Sequence, residues 1–282
     1  MDIAAITESF DTRTEDALSW ISESGSWLFG FFRTVLEGTY DGVHWLLQLA
    51  PHYVIAIIVM LLGWRLINVF SGLLAGLALL FCAAMGLWSE TMSTLAMVIT
   101  ATILALVVGV PIGIAAGFVQ SLDRLLAPVL DLIQTLPPYI YLLPAIALLG
   151  YGPATALAAT VIIAMPPAIR LTSLGLRMTP REFIELGQAS GLTPWQMFCK
   201  IRLPFALPSI MAGINQSIMM AFGMVVIAGI VGSGGLGETI YGSLRTLDIA
   251  TSINAAIAIV ILTMVLDRLT QAAASDNRGD GT

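Results

Sequence analysis

Residues 181–204 read REFIELGQASGLTPWQMFCKIRLP, and this stretch decides the class of the molecule. Glu182 and Glu185 fall in the opening turns of a short predicted helix that runs on through Gly187 and Ala189, where carboxylates complement the positive end of the helix dipole. Gly191 is a predicted helix stop, because a residue without Cβ adopts the left-handed backbone of a C-terminal cap at little cost. Thr193 then stands as an N-cap, with Pro194 at the first position of a second helix that leads into Ile201, Leu203 and Pro204. Two short helices with capped ends make a compact docking surface, whereas a flexible linker has no use for caps.

Around this polar stretch the chain is built for lipid. Of 282 residues, 57% are hydrophobic and only 11% charged, and mean hydropathy is +0.91. A soluble domain carries roughly a quarter charged residues, so a soluble enzyme is excluded. Apolar runs fall at about 43–63, 66–88, 92–119, 126–149, 153–169, 209–231 and 249–266, each near the length that spans a hydrocarbon core of roughly 30 Å. The expected fold is an all-α membrane protein, a polytopic helical bundle of about seven transmembrane spans. Only Trp64 and Arg65 separate the first two runs.

The few charges orient it. The single long polar connection, 170–208, holds Arg170, Arg177, Arg181, Lys200 and Arg202, which the positive-inside rule places in the cytoplasm. Alternation then puts Arg65, Arg124, Arg268 and Arg278 inside and only Arg13, Arg33 and Arg245 outside, with the N-terminus outside and the C-terminus inside. The net charge of −6 reflects an acidic head, residues 1–42, which holds Asp2, Glu8, Asp11, Glu15, Asp16, Glu23, Glu37 and Asp41. That head lacks the basic and apolar regions expected of a cleaved signal peptide, and its Trp20, Trp27, Phe29, Phe31 and Phe32 suit a segment lying on the membrane surface as well as they suit a partly ordered tail. The expected organisation is an N-terminal tail (1–42), a transmembrane domain (43–266) carrying the docking loop 170–208, and a cytoplasmic tail (267–282). No basic cluster with interleaved aromatics exists, so nucleic acid is not an expected partner. Cys82 and Cys199 lie in different environments, and His44 and His52 have no second ligand at a useful spacing, so no metal is assigned.

Two further patterns locate a pathway. Ala101, Ala105, Gly109, Gly113 and Gly117 recur at every fourth position and line one helix face as a close-packing seam, static or sliding, with Pro111 inside it as an expected kink. Prolines 137, 138, 144, 166 and 167 cannot donate to a helix ladder, so their spans should be broken or bent, and freed carbonyls are tolerated only beside protein or a watery cavity. Candidate pathway residues there are Asp131, Gln134, Thr135, Pro137, Pro138 and Tyr139, although Asp131 also fits an interfacial carboxylate. In the sixth run, helical spacing sets Asn215, Met219 and Phe222 on one face and Gln216, Met220, Gly223 and Met224 on the next. Asn215, Met219 and Met220 join the pathway candidates, with Asn215 at the pathway or a dimer seam rather than in a simple interhelical bond.

With these residues in view, the chain resembles the permease subunits of ATP-binding-cassette importers. Their cytoplasmic signature is Glu-Ala-Ala, three residues, Gly, nine residues, then Ile-x-Leu-Pro. Glu185, Gly191, Ile201, Leu203 and Pro204 match it, and Leu186 and Gly187 replace the two alanines. Across 90–268, the stretches DLIQTLPPYIYLLPAIALLGYGP, IAMPPAIRLTSLGLR and PSIMAGINQSIMMAFGMVVIAGIVGSGGLGETIYGSLRTLDI look like the glycine betaine, proline betaine and choline branch, whose relatives handle carnitine and trimethylamine N-oxide. The resemblance implies a homodimer in the bacterial inner membrane, in contact with membrane lipid. It implies two cytoplasmic ATPase subunits that carry ATP and magnesium, and an external substrate-binding protein. No enzymatic activity and no cofactor of its own are expected. Independently, the only lysine, Lys200, does not complete a phosphate-binding loop. The Gly-rich GSGGLGE at 232–238 is expected to be an external loop or re-entrant turn, not a dinucleotide site. The competing class, an ion-coupled transporter, calls for internal repeats and more intramembrane charge.

Overall fold

A computed structural model describes residues 12–13, 16–17 and 19–276, and the described chain is almost entirely helical. The helices are α1 (Ser26–Leu49), α2 (His52–Leu66), α3 (Val69–Ala84), α4 (Trp88–Phe118), α5 (Gln120–Thr135), α6 (Leu142–Leu149), α7 (Pro153–Arg177), α8 (Arg181–Ala189), α9 (Leu203–Ala228), α10 (Gly235–Thr246) and α11 (Ile249–Asp276). A helical turn at Pro194–Met197 and a wider π-turn at Phe198–Arg202 run directly into α9. Among the described residues, four helices are long and apolar enough to cross a membrane. The number rises to six when each of two bent pairs counts once: α1 with α2, turned by 95°, and α5 with Pro138–Leu149, turned by 106°.

The core is a three-helix stack of α4, α7 and α9, brought together by missing side chains. The small-residue ladder of α4 faces α7: a Cβ on Gly113 would lie 2.7 Å from the Ile169 carbonyl, and Ala101 and Ala105 are fully buried. On the other side of α7, a Cβ on Gly175 would meet Ser209 of α9 at 2.8 Å, and one on Gly213 of α9 would meet Leu171 at 3.1 Å. Without a hydrophobic drive between helices in lipid, such backbone proximity maximises dispersion contact. Buried Thr91, Thr94, Thr155 and Thr160 bond backbone carbonyls, a way of hiding hydroxyls among apolar helices.

Several expectations change here. The run 43–63 is not one helix: Pro51 ends α1 and α2 starts afresh at His52, a break concealed because both sides are apolar. The boundary expected at 42/43 falls inside α1, whose Leu36, Tyr40, Val43 and Leu47 recur at helical spacing and pack on the core. Pro137 does break its span, but Pro166 and Pro167 do not: α7 runs through both without interruption. Each proline removes one intrahelical bond while keeping a helical φ, and α7 is held on both sides by α4 and α9. The same helix extends to Arg177, so Arg170 and Arg177 belong to α7 and not to the connection that follows.

Candidate functional site

The stretch 181–204 folds as a tight hairpin. α8 closes in a Schellman arrangement, with the Leu192 amide donating to the Gly187 carbonyl and the Gly191 amide to Gln188, each at 3.0 Å. Gly191 supplies the left-handed residue, at φ 73°. The return turn opens on a full capping box: Gln196 N donates to Thr193 Oγ1, and Thr193 N to Gln196 Oε1 at 2.9 Å. Gly187 lets the two arms close, since a Cβ there would sit 2.6 Å from Met197 Cε and 2.7 Å from Ile201 Cδ1. Leu186, one residue earlier, points outward, as does Trp195 on the opposite arm; they are 62% and 71% exposed. Neither was among the candidate docking residues, although Leu186 stood out as a replacement within the signature.

The hairpin is mechanically tied to the bundle at two places. Its π-turn continues without a break into α9, so that 194–231 is one helical rod of 38 residues. At its base, the Arg202 guanidinium lies 4.9 Å above the Phe118 ring, and Phe198 approaches the same ring at 5.9 Å. Phe118 is the last residue of α4, the helix that carries the glycine seam. Packed contacts thus run from the hairpin into both α9 and α4.

At the break, α5 ends on the extended Leu136, and Pro138 opens a 3-10 turn, Pro138–Tyr141, that packs against α9. The Tyr141 hydroxyl donates to the Ile133 carbonyl at 2.9 Å and bridges the bend. Gln134, Thr135, Pro137 and Tyr139 are exposed around it, and the Thr135 hydroxyl donates to Leu132 O. Asp131 is not alone: Arg170 Nη2 of α7 pairs with its carboxylate at 2.5 Å. About two turns earlier Asp123 pairs with Arg177, and Ser173 Oγ donates to Asp123 while accepting from Arg177. Two ion pairs thus fasten α5 to the C-terminal part of α7. Arg170, Ser173 and Asp123 were not among the candidates, because residues 39 to 50 apart in sequence carry no mutual signal.

On α9, Gln216, Met219 and Gly223 share the exposed face, while Met220 is half-buried and Phe222 fully buried. The expected grouping of Asn215 with Met219 does not occur. Asn215 turns to α11, donating to Asp267 Oδ1 at 3.2 Å and accepting from the Thr270 hydroxyl at 2.8 Å. The two rows are neighbours on a helix, and the packing of α11 decides which one is covered. The interhelical bond disfavoured from sequence is the one present. In the Gly-rich loop, the Gly234 amide donates to Glu238 at 2.7 Å and the Leu236 amide to Thr94 Oγ1 at 2.8 Å, so the chain itself satisfies the start of α10.

A family model described as "Binding-protein-dependent transport system inner membrane component" matches residues 109–278. The chain is 38% identical over 270 residues to the glycine betaine/proline betaine transport system permease protein ProW of Escherichia coli K12, covering 93% of this chain and 76% of that one. It is 40% identical over 256 residues to the glycine betaine/carnitine transport permease protein GbuB of Listeria monocytogenes, covering 86% and 89%. In structure it is similar to a chain of the methionine ABC transporter MetNI in an inward-facing conformation, with TM-score 0.58, 25% identity, and coverage of 72% and 97%.

Proposed function

The chain belongs to the binding-protein-dependent transport system inner membrane components, and from that membership we infer that it is the permease subunit of an ATP-driven importer of methylated amine osmolytes. The observation that carries this is the capped hairpin over Gly187, joined rigidly to α9 and through Phe118 to α4. Glu182, Glu185, Gly187, Ala189, Gly191, Thr193, Ile201, Leu203 and Pro204 build the docking element, and the exposed Leu186 and Trp195 enter the ATPase surface. ATP and magnesium sit on the two partner ATPases, and this subunit is not an enzyme. Closure of the ATPases drives the hairpin, α9 follows as one rod, and the pathway opens to the opposite side of the membrane.

The pathway runs between two copies of the chain, along the exposed row Gln216, Met219 and Gly223 of α9 and the neighbouring bend at Gln134, Thr135, Pro137, Pro138 and Tyr139. Met220 borders it. Asn215 and Asp131 support it from behind through their bonds to α11 and α7. Methionine and glycine offer a soft wall that lets a methylated ammonium pass without holding it. Selection belongs to the external binding protein, since an aromatic cage is how such cations are held. With each bent pair as one crossing and α3 as a short one, the chain crosses the inner membrane seven times, N-terminus outside and C-terminus inside. In this topology α2 makes the first crossing, and α1, turned by 95° from it, lies along the external surface.

Uptake by proteoliposomes tests the substrate class. With the ATPase and binding protein present, labelled glycine betaine accumulates, and choline, carnitine or trimethylamine N-oxide competes according to the binding protein used. Indifference of uptake to every methylated amine overturns the assignment.

A further inference from the structure

The α2–α3 hairpin closes backbone to backbone: a Cβ on Gly63 would lie 2.7 Å from Gly72 Cα, and one on Gly72 would lie 2.3 Å from the Met60 carbonyl. α11 does not follow it in. Between the hairpin and the second half of α11 there remains an open cleft of about 440 Å³, well within the roughly 300–1,000 Å³ of small-molecule sites. Its lining is mostly hydrocarbon, from Ile67, Leu74, Ala75, Ala78 and Val265, with Arg268 as its one charged member. Among the described residues Arg268 has no ion-pair partner. The adjacent Asp267 is already engaged by Asn215 and Gln271.

The geometry points to a bound anionic phospholipid, with an acyl chain along the cleft and its phosphate on Arg268. An apolar slot with one unpaired guanidinium in its lining complements a lipid in both parts, and basic pockets between helices on the cytoplasmic side are where acidic headgroups are recognised. The depth of Arg268 in the inner leaflet rests on the proposed orientation. A zwitterionic headgroup gains less there, because its own ammonium offsets the attraction. A second copy of this chain fits less well, since it has to bring a carboxylate to Arg268 and bulky side chains into a slot that Ala75 and Ala78 keep open. The lipid fills the wedge between a rigid hairpin and α11, the helix that hydrogen-bonds to Asn215 of α9.

Native mass spectrometry of the purified, delipidated full chain, titrated with dioleoyl phosphatidylglycerol or dioleoyl phosphatidylcholine, tests the site. The wild type retains phosphatidylglycerol about fivefold more strongly, the effect of one near-surface arginine. Arg268→Gln brings the ratio to one and Arg268→Lys keeps it, which separates loss of charge from loss of fold. Ala78→Phe reduces both adducts. Equal retention of the two lipids by the wild type, a preference that survives Arg268→Gln, or an unaltered adduct in Ala78→Phe overturns the proposal. So does a disulfide between two copies through Ala75→Cys, which puts protein in the slot. Because the ratio is read in micelles, it does not depend on orientation: a C-terminal reporter found outside the cell overturns the topology and leaves the lipid site standing.

Discussion

At the scale of single residues, Gly191 and Gly187 do different jobs in one hairpin. Gly191 has open space around it and needs its glycine for φ 73°, whereas Gly187 needs it for room under Met197 and Ile201. Forcing an L-residue into the left-handed region costs about 1–2 kcal/mol, most for a β-branched one, while asparagine is tolerated. Gly191→Val is therefore expected to insert normally yet lower the ratio of uptake to ATP hydrolysed, with Gly191→Asn near wild type. Measuring both rates in the same vesicles checks it, and normal uptake by the valine variant removes the docking role. These caps were legible in the sequence because they are local: Thr193 and Gln196 are three residues apart. The partners of Asp131 and Asn215 were not, lying 39 and 52 residues away on helices whose rotation only packing decides.

At the scale of elements, the glycine ladder of α4 was legible as a seam, but its partner was not, because the pattern names a face and not what covers it. α7 covers it, with the Ile169 carbonyl and Thr172 Cβ both 2.7 Å from where a Gly113 Cβ would stand. Backbone cannot yield as a side-chain end can. Gly113→Leu is expected to lower thermal stability in detergent, by about 1–3 kcal/mol as for other overpacked cores. Gly223→Ala, with nothing within 4 Å, is expected to leave the melting temperature unchanged. Equal melting of the two variants contradicts a close α4–α7 seam. The prolines teach the complementary lesson. Pro137 breaks its helix where the chain is exposed, whereas Pro166 and Pro167 sit in the buried middle of α7 and leave it whole.

At the scale of the molecule, composition showed that the chain is built for lipid, but it could not see that an apolar run turns a corner at Pro51. Nor could it show that 194–231 is one continuous helical stretch, which joins the capped hairpin to the row that carries Gln216 and Met219. The claim it supports is that this chain provides the route and a docked ATPase provides the drive. One measurement addresses it directly: uptake of labelled glycine betaine into proteoliposomes holding the permease, ATPase and binding protein, with internal ATP present or absent and ion gradients intact or collapsed by ionophores. Uptake that requires ATP and survives ionophores is the predicted result. Uptake by this chain alone, or uptake that fails with the ion gradient while ATP is present, contradicts it.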